Sequence, residues 1–171
     1  EVLDCAYEIQ KSFKEVLSPK ASMSAGIIIV HYKYPLYLAL EEVRSAEKLA
    51  KDKYGKDAFC IRLKTRSGEQ RDFGSKWNEI PFIKELICKF RTNELPSKFA
   101  YDFAEVVSKI GDSDKTILSI ELKRIYLRKS KDSAFFEELL KRFEFLSEKY
   151  SIYDFINLLL ISRFLADNYR I

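Results

Sequence analysis

Four β-branched residues in succession, followed closely by a proline, place the strongest constraint on this fold. Residues 27–30 read Ile-Ile-Ile-Val, and a run without polar alternation is typical of a central strand that is covered on both faces. Pro35 stops the strand, because proline fits the first turn of a helix but has no amide hydrogen for a sheet. The sequence therefore predicts a buried strand that leads directly into a helix.

The helical pattern after this proline has one apolar face and a glycine near its end. Gly55 lies where a left-handed cap would end the helix, and a second strand pattern runs over residues 58–64. Short connections in a strand–helix–strand unit favour parallel strands with a right-handed crossover. The apolar face consists of Leu36, Ala39, Leu40, Val43, Ala46, Leu49 and Ala50.

The flanking segments add a first helix and a third strand. Residues 66–69, Arg-Ser-Gly-Glu, are typical of a hairpin turn, which leads into a short strand that ends at Phe73. Strand patterns stop within residues 74–78, so we predict two domains, 1–74 and 75–171. Residues 1–17 form the first helix, whose apolar face consists of Val2, Ala6, Ile9, Phe13, Val16 and Leu17.

All patterns beyond residue 78 are helical. Apolar residues recur at helical spacing in five successive segments with short connections, and short connections favour antiparallel neighbours. The predicted fold class is α+β. It consists of a partial ferredoxin-like palm, in the order α-β-α-β plus a hairpin strand, followed by an all-α bundle of four or five helices.

The predicted sheet has too few strands to be complete. A central strand needs a hydrogen-bonding neighbour on each side, because its amide and carbonyl groups otherwise go unpaired. We therefore expect further strands upstream of Glu1 or in another chain. The chain also begins at Glu1 inside an amphipathic pattern and without an initiator methionine, which we interpret as a cut end.

Composition excludes several classes of protein. A hydrophobic fraction of 47% with only five glycines and four prolines excludes a disordered chain. The net charge of +4 permits a nucleic-acid partner without indicating one. Three cysteines without a Cys-x-x-Cys pair, together with a single histidine, indicate reduced thiols in a cytoplasmic protein rather than a zinc site. No apolar run approaches the roughly 20 residues that span a bilayer.

The strand–helix–strand unit resembles a known family. Residues 24–59, SAGIIIVHYKYPLYLALEEVRSAEKLAKDKYGKDAF, are similar to the large subunit of type III CRISPR RNA-guided effector complexes, in the type III-B (Cmr) branch. The opening helix, VLDCAYEIQKSFKEVL, is similar to the helix that follows the catalytic hairpin in that family. The resemblance covers residues 1–74 closely. Residues 75–171 fit the family's C-terminal helical domain by their order and helical character.

The resemblance implies an enzyme whose metal site lies outside this chain. Members of the family bind ATP at a palm and make cyclic oligoadenylates when target RNA is bound, using Mg²⁺ held by a Gly-Gly-Asp-Asp hairpin. This chain contains no two adjacent glycines. We therefore expect ATP and Mg²⁺ as cofactors of the full-length protein and neither to be held by this chain alone. The implied partners are the N-terminal remainder of the protein, the other effector subunits, and guide and target RNA.

The resemblance assigns nucleotide-binding roles to two lysines. In related cyclase-like palms, the lysine of an Ala-Lys pair and a basic residue after the next glycine contact nucleotide phosphates. Lys51 and Lys56 match these positions, although their spacing is one residue longer than in the bacterial cyclase-like palms. The alternative is that both lysines complement the negative C-terminal end of the helix.

Basic residues also alternate along the second predicted strand. Arg62, Lys64 and Arg66 point to one face of a strand, and Arg71 on the returning strand lies within reach of them. These residues form a candidate basic ribbon for an RNA backbone or an acidic partner. The alternative is an ordinary solvated strand face.

Trp77, at the predicted domain junction, is a candidate for either domain packing or base stacking. It has the aromatic neighbours Phe73 and Phe82, which favours packing of the bundle onto the palm over base stacking.

Two classes of function remain open. The chain is part of a nucleotide-binding enzyme, or it is a non-catalytic assembly module whose bundle docks effector subunits and RNA. A ferredoxin-like RNA-binding domain is disfavoured, because the strands lack its interleaved aromatic motif.

Overall fold

A three-stranded sheet forms where the sequence predicts strands. The computed structural model describes residues 2–112, 114–130 and 132–168. The order of elements in the first part of the chain is α1 (Val2–Val16), β1 (Ala25–Ile29), α2 (Leu36–Asp52), β2 (Ala58–Lys64) and β3 (Gln70–Lys76). β1 and β2 are parallel, β2 and β3 are antiparallel, and the order in the sheet is β1-β2-β3. The predicted parallel strand–helix–strand unit is confirmed.

The middle strand of the described sheet is β2, and the predicted central position of β1 requires a further strand that lies outside the described residues and stays a prediction. Residues 58–63 of β2 are all buried, whereas Ile27 alone is buried in β1. β1 has no strand on its other side within the part of the chain that the structure describes. The aliphatic run of β1 indicates a strand that is suited to burial. The run does not specify which segment of chain covers the strand.

A glycine allows α2 to lie directly on β1. A Cβ atom built on Gly26 would lie 2.3 Å from the carbonyl oxygen of Val43 and 2.6 Å from the amide nitrogen of Glu47. The facing helix residue, Ala46, is also small, and its Cβ atom would lie 3.2 Å from the added one. Ala46 is completely buried, as is Ala50 one turn later. Small side chains on both elements therefore set the short distance between helix and strand.

The apolar face predicted for α1 is largely exposed. The buried residues of this helix are instead Leu3 and the polar Gln10. Polar contacts hold α1 against its neighbours, as described below, and periodicity alone cannot show which face a neighbour covers. The exposed members of the predicted face include Val2, Ile9, Val16 and Leu17, each more than half exposed.

The hairpin between β2 and β3 forms as predicted, but β3 continues beyond Phe73 to Lys76. Gly74 lies in this extension. The ring of Tyr54 packs directly over it, which leaves no room for a side chain. A Cβ atom at Gly74 would lie 2.4 Å from the Tyr54 Cε2 atom. The chain divides into two compact units, Glu1–Phe82 and Ile83–Ile171, whereas the sequence placed its boundary at 74/75.

The second part of the chain is helical, as predicted. Its helices are α3 (Ile80–Arg91), which begins at the end of the first unit, α4 (Lys98–Ile110), α5 (Lys115–Leu127), α6 (Ser133–Lys149) and α7 (Ile152–Asn168). Helix α4 packs against α5 and α7, and α6 packs against α5 and α7. The edge-to-face rings of Phe103, Phe143 and Phe155, with centroids 5.4–5.9 Å apart, form the aromatic centre of the bundle.

None of the helices in the described ranges is both long enough and apolar enough to cross a membrane.

Candidate functional site

Lys51 and Lys56 meet at the C-terminal end of α2. Lys51 occupies the last turn, where its Nζ atom lies 2.6 Å from a carboxylate oxygen of Glu47. The amide of Lys56 donates a 3.2 Å hydrogen bond to the carbonyl oxygen of Lys51. The structure therefore brings the two predicted nucleotide-binding residues together through their backbones. Their binding role stays a prediction.

The turn after α2 has an unusual backbone. Gly55, Lys56 and Asp57 have φ angles of 76°, 50° and 44°, so three residues in succession are left-handed. Glycine adopts this region freely and aspartate tolerates it, but lysine does so rarely. The ammonium of Lys76 donates hydrogen bonds to the carbonyl oxygens of Gly55, at 2.6 Å, and of Lys56. One side chain from β3 thus holds two peptide groups of the turn.

Asp57 holds the same turn from another direction. Its carboxylate accepts hydrogen bonds from the Lys14 ammonium at 2.5 Å, the Gln10 side-chain amide at 3.3 Å and the Met23 backbone amide at 3.4 Å. Burial acts to raise the pKa of Asp57, but the hydrogen bonds from Lys14, Met23 and Gln10 outweigh it, and the pKa is lowered. The turn is therefore tied to α1 and to the segment that precedes β1.

A cleft borders this turn within the first unit. It has a volume of about 670 Å³, in the range of small-molecule sites, and its walls come from α1, Asp57 and the end of β3. Its charged lining residues are Lys11, Lys14, Glu15, Asp57 and Lys76.

The four residues of the predicted basic ribbon do not form one solvent-facing surface. Arg62 is only 5% exposed, so the expectation of a solvated face is wrong at that position. Lys64 forms an ion pair with Glu42 of α2. Arg66 lies exposed in the hairpin turn, and Arg71 pairs with the neighbouring Glu69.

Arg62 and Lys64 instead connect α2 to the sheet. The Arg62 guanidinium donates two parallel hydrogen bonds to Asp72, at 2.7 and 2.8 Å, and a third to Glu42 at 2.5 Å. The bonds to Asp72, followed by the bond to Glu42, raise the pKa of Arg62 despite its burial. Hydrogen bonding to Lys64 lowers the pKa of Glu42, and Arg62 adds to this effect. Such geometry satisfies a buried charge.

Trp77 packs inside the first unit. Its side chain is 3% exposed, its ring lies 5.6 Å from that of Phe59, and its indole N–H donates a 2.8 Å hydrogen bond to the carbonyl oxygen of Met23. A ring enclosed in this way has no open face for a base to stack on.

Local sequence patterns do not identify the residues that fix the site. Asp57 could have been identified, because it follows Gly-Lys and aspartate tolerates the left-handed backbone of such a turn. Glu42 and Asp72 could have been identified as acidic partners of a basic residue in a buried strand. Lys14 and Lys76 could not, because their contacts depend on the tertiary fold.

Among the described residues, no group of three His, Cys, Asp or Glu side chains comes together as a metal site. We assign no metal-dependent step to the described residues. The lysines at the end of α2 carry ammonium groups, which pair well with phosphate oxygens.

Comparison with known proteins gives the first unit a likeness to one class of domain. Residues 1–60 match the family "Cas10/Cmr2, second palm domain". This part of the chain is therefore similar to a second palm domain of the Cas10/Cmr2 kind.

More than half of the chain is also similar to a particular subunit. It is 40% identical over 104 residues to the CRISPR system Cmr subunit Cmr2 of Pyrococcus furiosus, an alignment that covers 57% of this chain and 11% of that protein. Over these residues the chain is similar to Cmr2. It spans about a tenth of the length of this relative.

Proposed function

We propose that this chain forms the nucleotide-binding half of a palm in a Cmr2-like large subunit, where Lys51 and Lys56 bind the phosphates of ATP. The observation that carries the proposal is the hydrogen bond between the backbones of these two lysines at the end of α2, in the unit that matches a second palm domain. Two ammonium groups at one helix end suit a polyphosphate, because each offers three donors and a full positive charge.

The surroundings of the lysines support this role. Among the residues that the structure describes, Lys51 pairs with Glu47 of its own helix, and both side chains are well exposed. Such a pair is worth little in free energy, so a phosphate can replace the carboxylate. In the intact protein, ATP would supply the triphosphate and adenosine for cyclic oligoadenylate synthesis after target RNA is recognised, with Mg²⁺ held outside the residues described. This activity would serve antiviral defence in the cytoplasm.

The experiment is an ATP titration of the intact protein. Lys51→Ala and Lys56→Ala should each weaken binding by ~1–3 kcal/mol, the scale of a charge-assisted hydrogen bond. Arg44→Ala is the matched control, since it removes a positive charge from the exposed surface of the same helix two turns earlier. Unchanged affinity in both lysine variants, or equal weakening in the control, would remove the phosphate role.

A second function, assembly with further subunits, is favoured by the uncovered apolar surface of the first unit. Val16 and Leu17 at the end of α1 are 82% and 63% exposed, and Leu36 at the start of α2 is 75% exposed. The aliphatic β1 is also open on one side within the described residues. Exposed apolar surface of this kind marks interfaces. Under this function, Arg66 and Arg71 would contact RNA or acidic groups of a partner.

A further inference from the structure

Lys56 has a strained backbone and an available side chain. A non-glycine residue with φ near 50° is costly unless its surroundings impose the conformation, and such residues concentrate at functional sites. Within the described part of the chain, the Lys56 ammonium forms no hydrogen bond or ion pair. Lys14, Lys51 and Lys76 each have a partner.

A connection that only had to join α2 to β2 would not require lysine at this position. Glycine would adopt the left-handed conformation without strain, as Gly55 does at φ 76°. The chain instead places an exposed cationic side chain there, and it must hold the backbone by other means.

Two independent sets of contacts hold this backbone. Lys76 binds the carbonyl oxygens of Gly55 and Lys56 from β3. The Asp57 carboxylate binds Lys14 of α1 and the amide of Met23 before β1. The contacts come from three separate parts of the unit. They hold Gly55 before Lys56 and Asp57 after it, so the turn is fixed on both sides of the Lys56 α-carbon.

We propose that Asp57 and Lys76 are positioning residues, which hold the turn so that the Lys56 ammonium is directed at the phosphates of the nucleotide. The inference rests on the proposed phosphate role of Lys56. It goes beyond that role by assigning the orientation of the ammonium to two residues that do not themselves bind phosphate. Preorganisation of this kind lets a flexible lysine bind with less loss of freedom.

The test is a double-mutant cycle for ATP binding by the intact protein. Asp57→Ala and Lys76→Met should each weaken binding about three- to tenfold, within the range of coupling between contacting residues. Neither change should weaken binding further in a Lys56→Ala background. Asp57→Asn should recover part of the loss, because asparagine tolerates the left-handed region and keeps an acceptor for the Met23 amide.

The control separates positioning from general stability. Glu69→Ala breaks the Glu69–Arg71 ion pair in the hairpin, at the opposite end of β2 from the turn, and should leave ATP affinity unchanged. If Asp57→Ala does not fold, Asp57→Asn and Lys76→Met complete the cycle, since both keep most of the original side-chain volume.

Each outcome is decisive. Equal losses with and without Lys56, or no loss at all, would overturn the positioning role while the phosphate role of Lys56 stands. An unchanged affinity of Lys56→Ala itself would overturn the phosphate role, and the inference with it.

Discussion

Arg62 shows how one charged residue can occupy the middle of a buried strand. Its neighbours in β2, Ile61 and Leu63, are no more than 2% exposed, and an unpaired charge there would be prohibitive. The guanidinium avoids this cost because it binds Asp72 on β3 and Glu42 on α2 at the same time. The residue that looked like an RNA ligand in the sequence therefore joins three elements.

Glu42→Gln should destabilise the palm unit by ~1–3 kcal/mol, because it weakens an acceptor shared by a buried arginine and by Lys64. Native-state hydrogen exchange at the β2 amides of the intact protein measures this loss. The adjacent Glu41 is exposed, so Glu41→Gln is the matched control and should change stability by less than ~0.5 kcal/mol. Equal protection of β2 in the two variants would refute the structural role of this network.

The ion pair between Glu42 and Lys64 also makes the stability of the first unit depend on pH. The pKa of Glu42 is lowered in the folded state, first by its hydrogen bond with Lys64, so the unfolded state binds more protons and stability rises with pH in this window. The contribution is complete above the ordinary value of 4.5 and is lost as pH falls through the folded-state pKa. Protection of β2 should therefore fall in acid more steeply in the wild type than in Glu42→Gln. Parallel pH profiles would count against this assignment.

Among the elements, α2 carries both the packing and the candidate site of the first unit. Its small residues face β1, its Glu42 binds the sheet, and its last turn presents Lys51. Periodicity predicted this helix and its two strands, because a buried apolar stripe and a β-branched run leave clear patterns in sequence. The covered face of α1 was not predictable, since Gln10 and Lys14 attach it through polar contacts with Asp57.

Gly26→Ala tests the packing of α2 on β1. The added methyl group would clash with backbone atoms of Val43 and Glu47, which cannot rotate away as a side chain would. We expect a loss of ~1–3 kcal/mol from overpacking, with a larger loss for Gly26→Val. Hydrogen exchange at the amides of β1 and β2 reports it. Full protection in Gly26→Ala would mean that the helix and strand are less tightly packed than the structure indicates.

At the scale of the molecule, the sequence predicted an α+β palm followed by helices, but not the contacts that complete the site. Lys51 and Lys56 could be named because a resemblance in sequence marks them. The bonds from Lys14 to Asp57 and from Lys76 to Gly55 join residues that are 43 and 21 positions apart. Such contacts follow from the strand order and from the course of α1, neither of which local patterns specify.

The two edges of the described sheet differ in a way that predicts different neighbours. β1 presents an aliphatic edge, residues 26–29, without charge or proline, whereas β3 begins with the polar residues 70–72. Polar edges resist strand pairing, and aliphatic ones favour it. We therefore expect another strand of the intact protein, or of its complex, to pair with β1.

Hydrogen exchange can test this pairing strand by strand. In the intact protein, the β1 amides that do not bond to β2 should exchange as slowly as those that do, because a second strand would protect them. The outward amides of residues 70–72 in β3 are the internal control and should exchange faster. If the outward β1 amides exchange as fast as these, the aliphatic edge is unpaired, and the assembly function is favoured only by the exposed side chains of Val16, Leu17 and Leu36. The phosphate role of Lys51 and Lys56 would remain, since it depends on the C-terminal end of α2 and on no contact of β1's open edge.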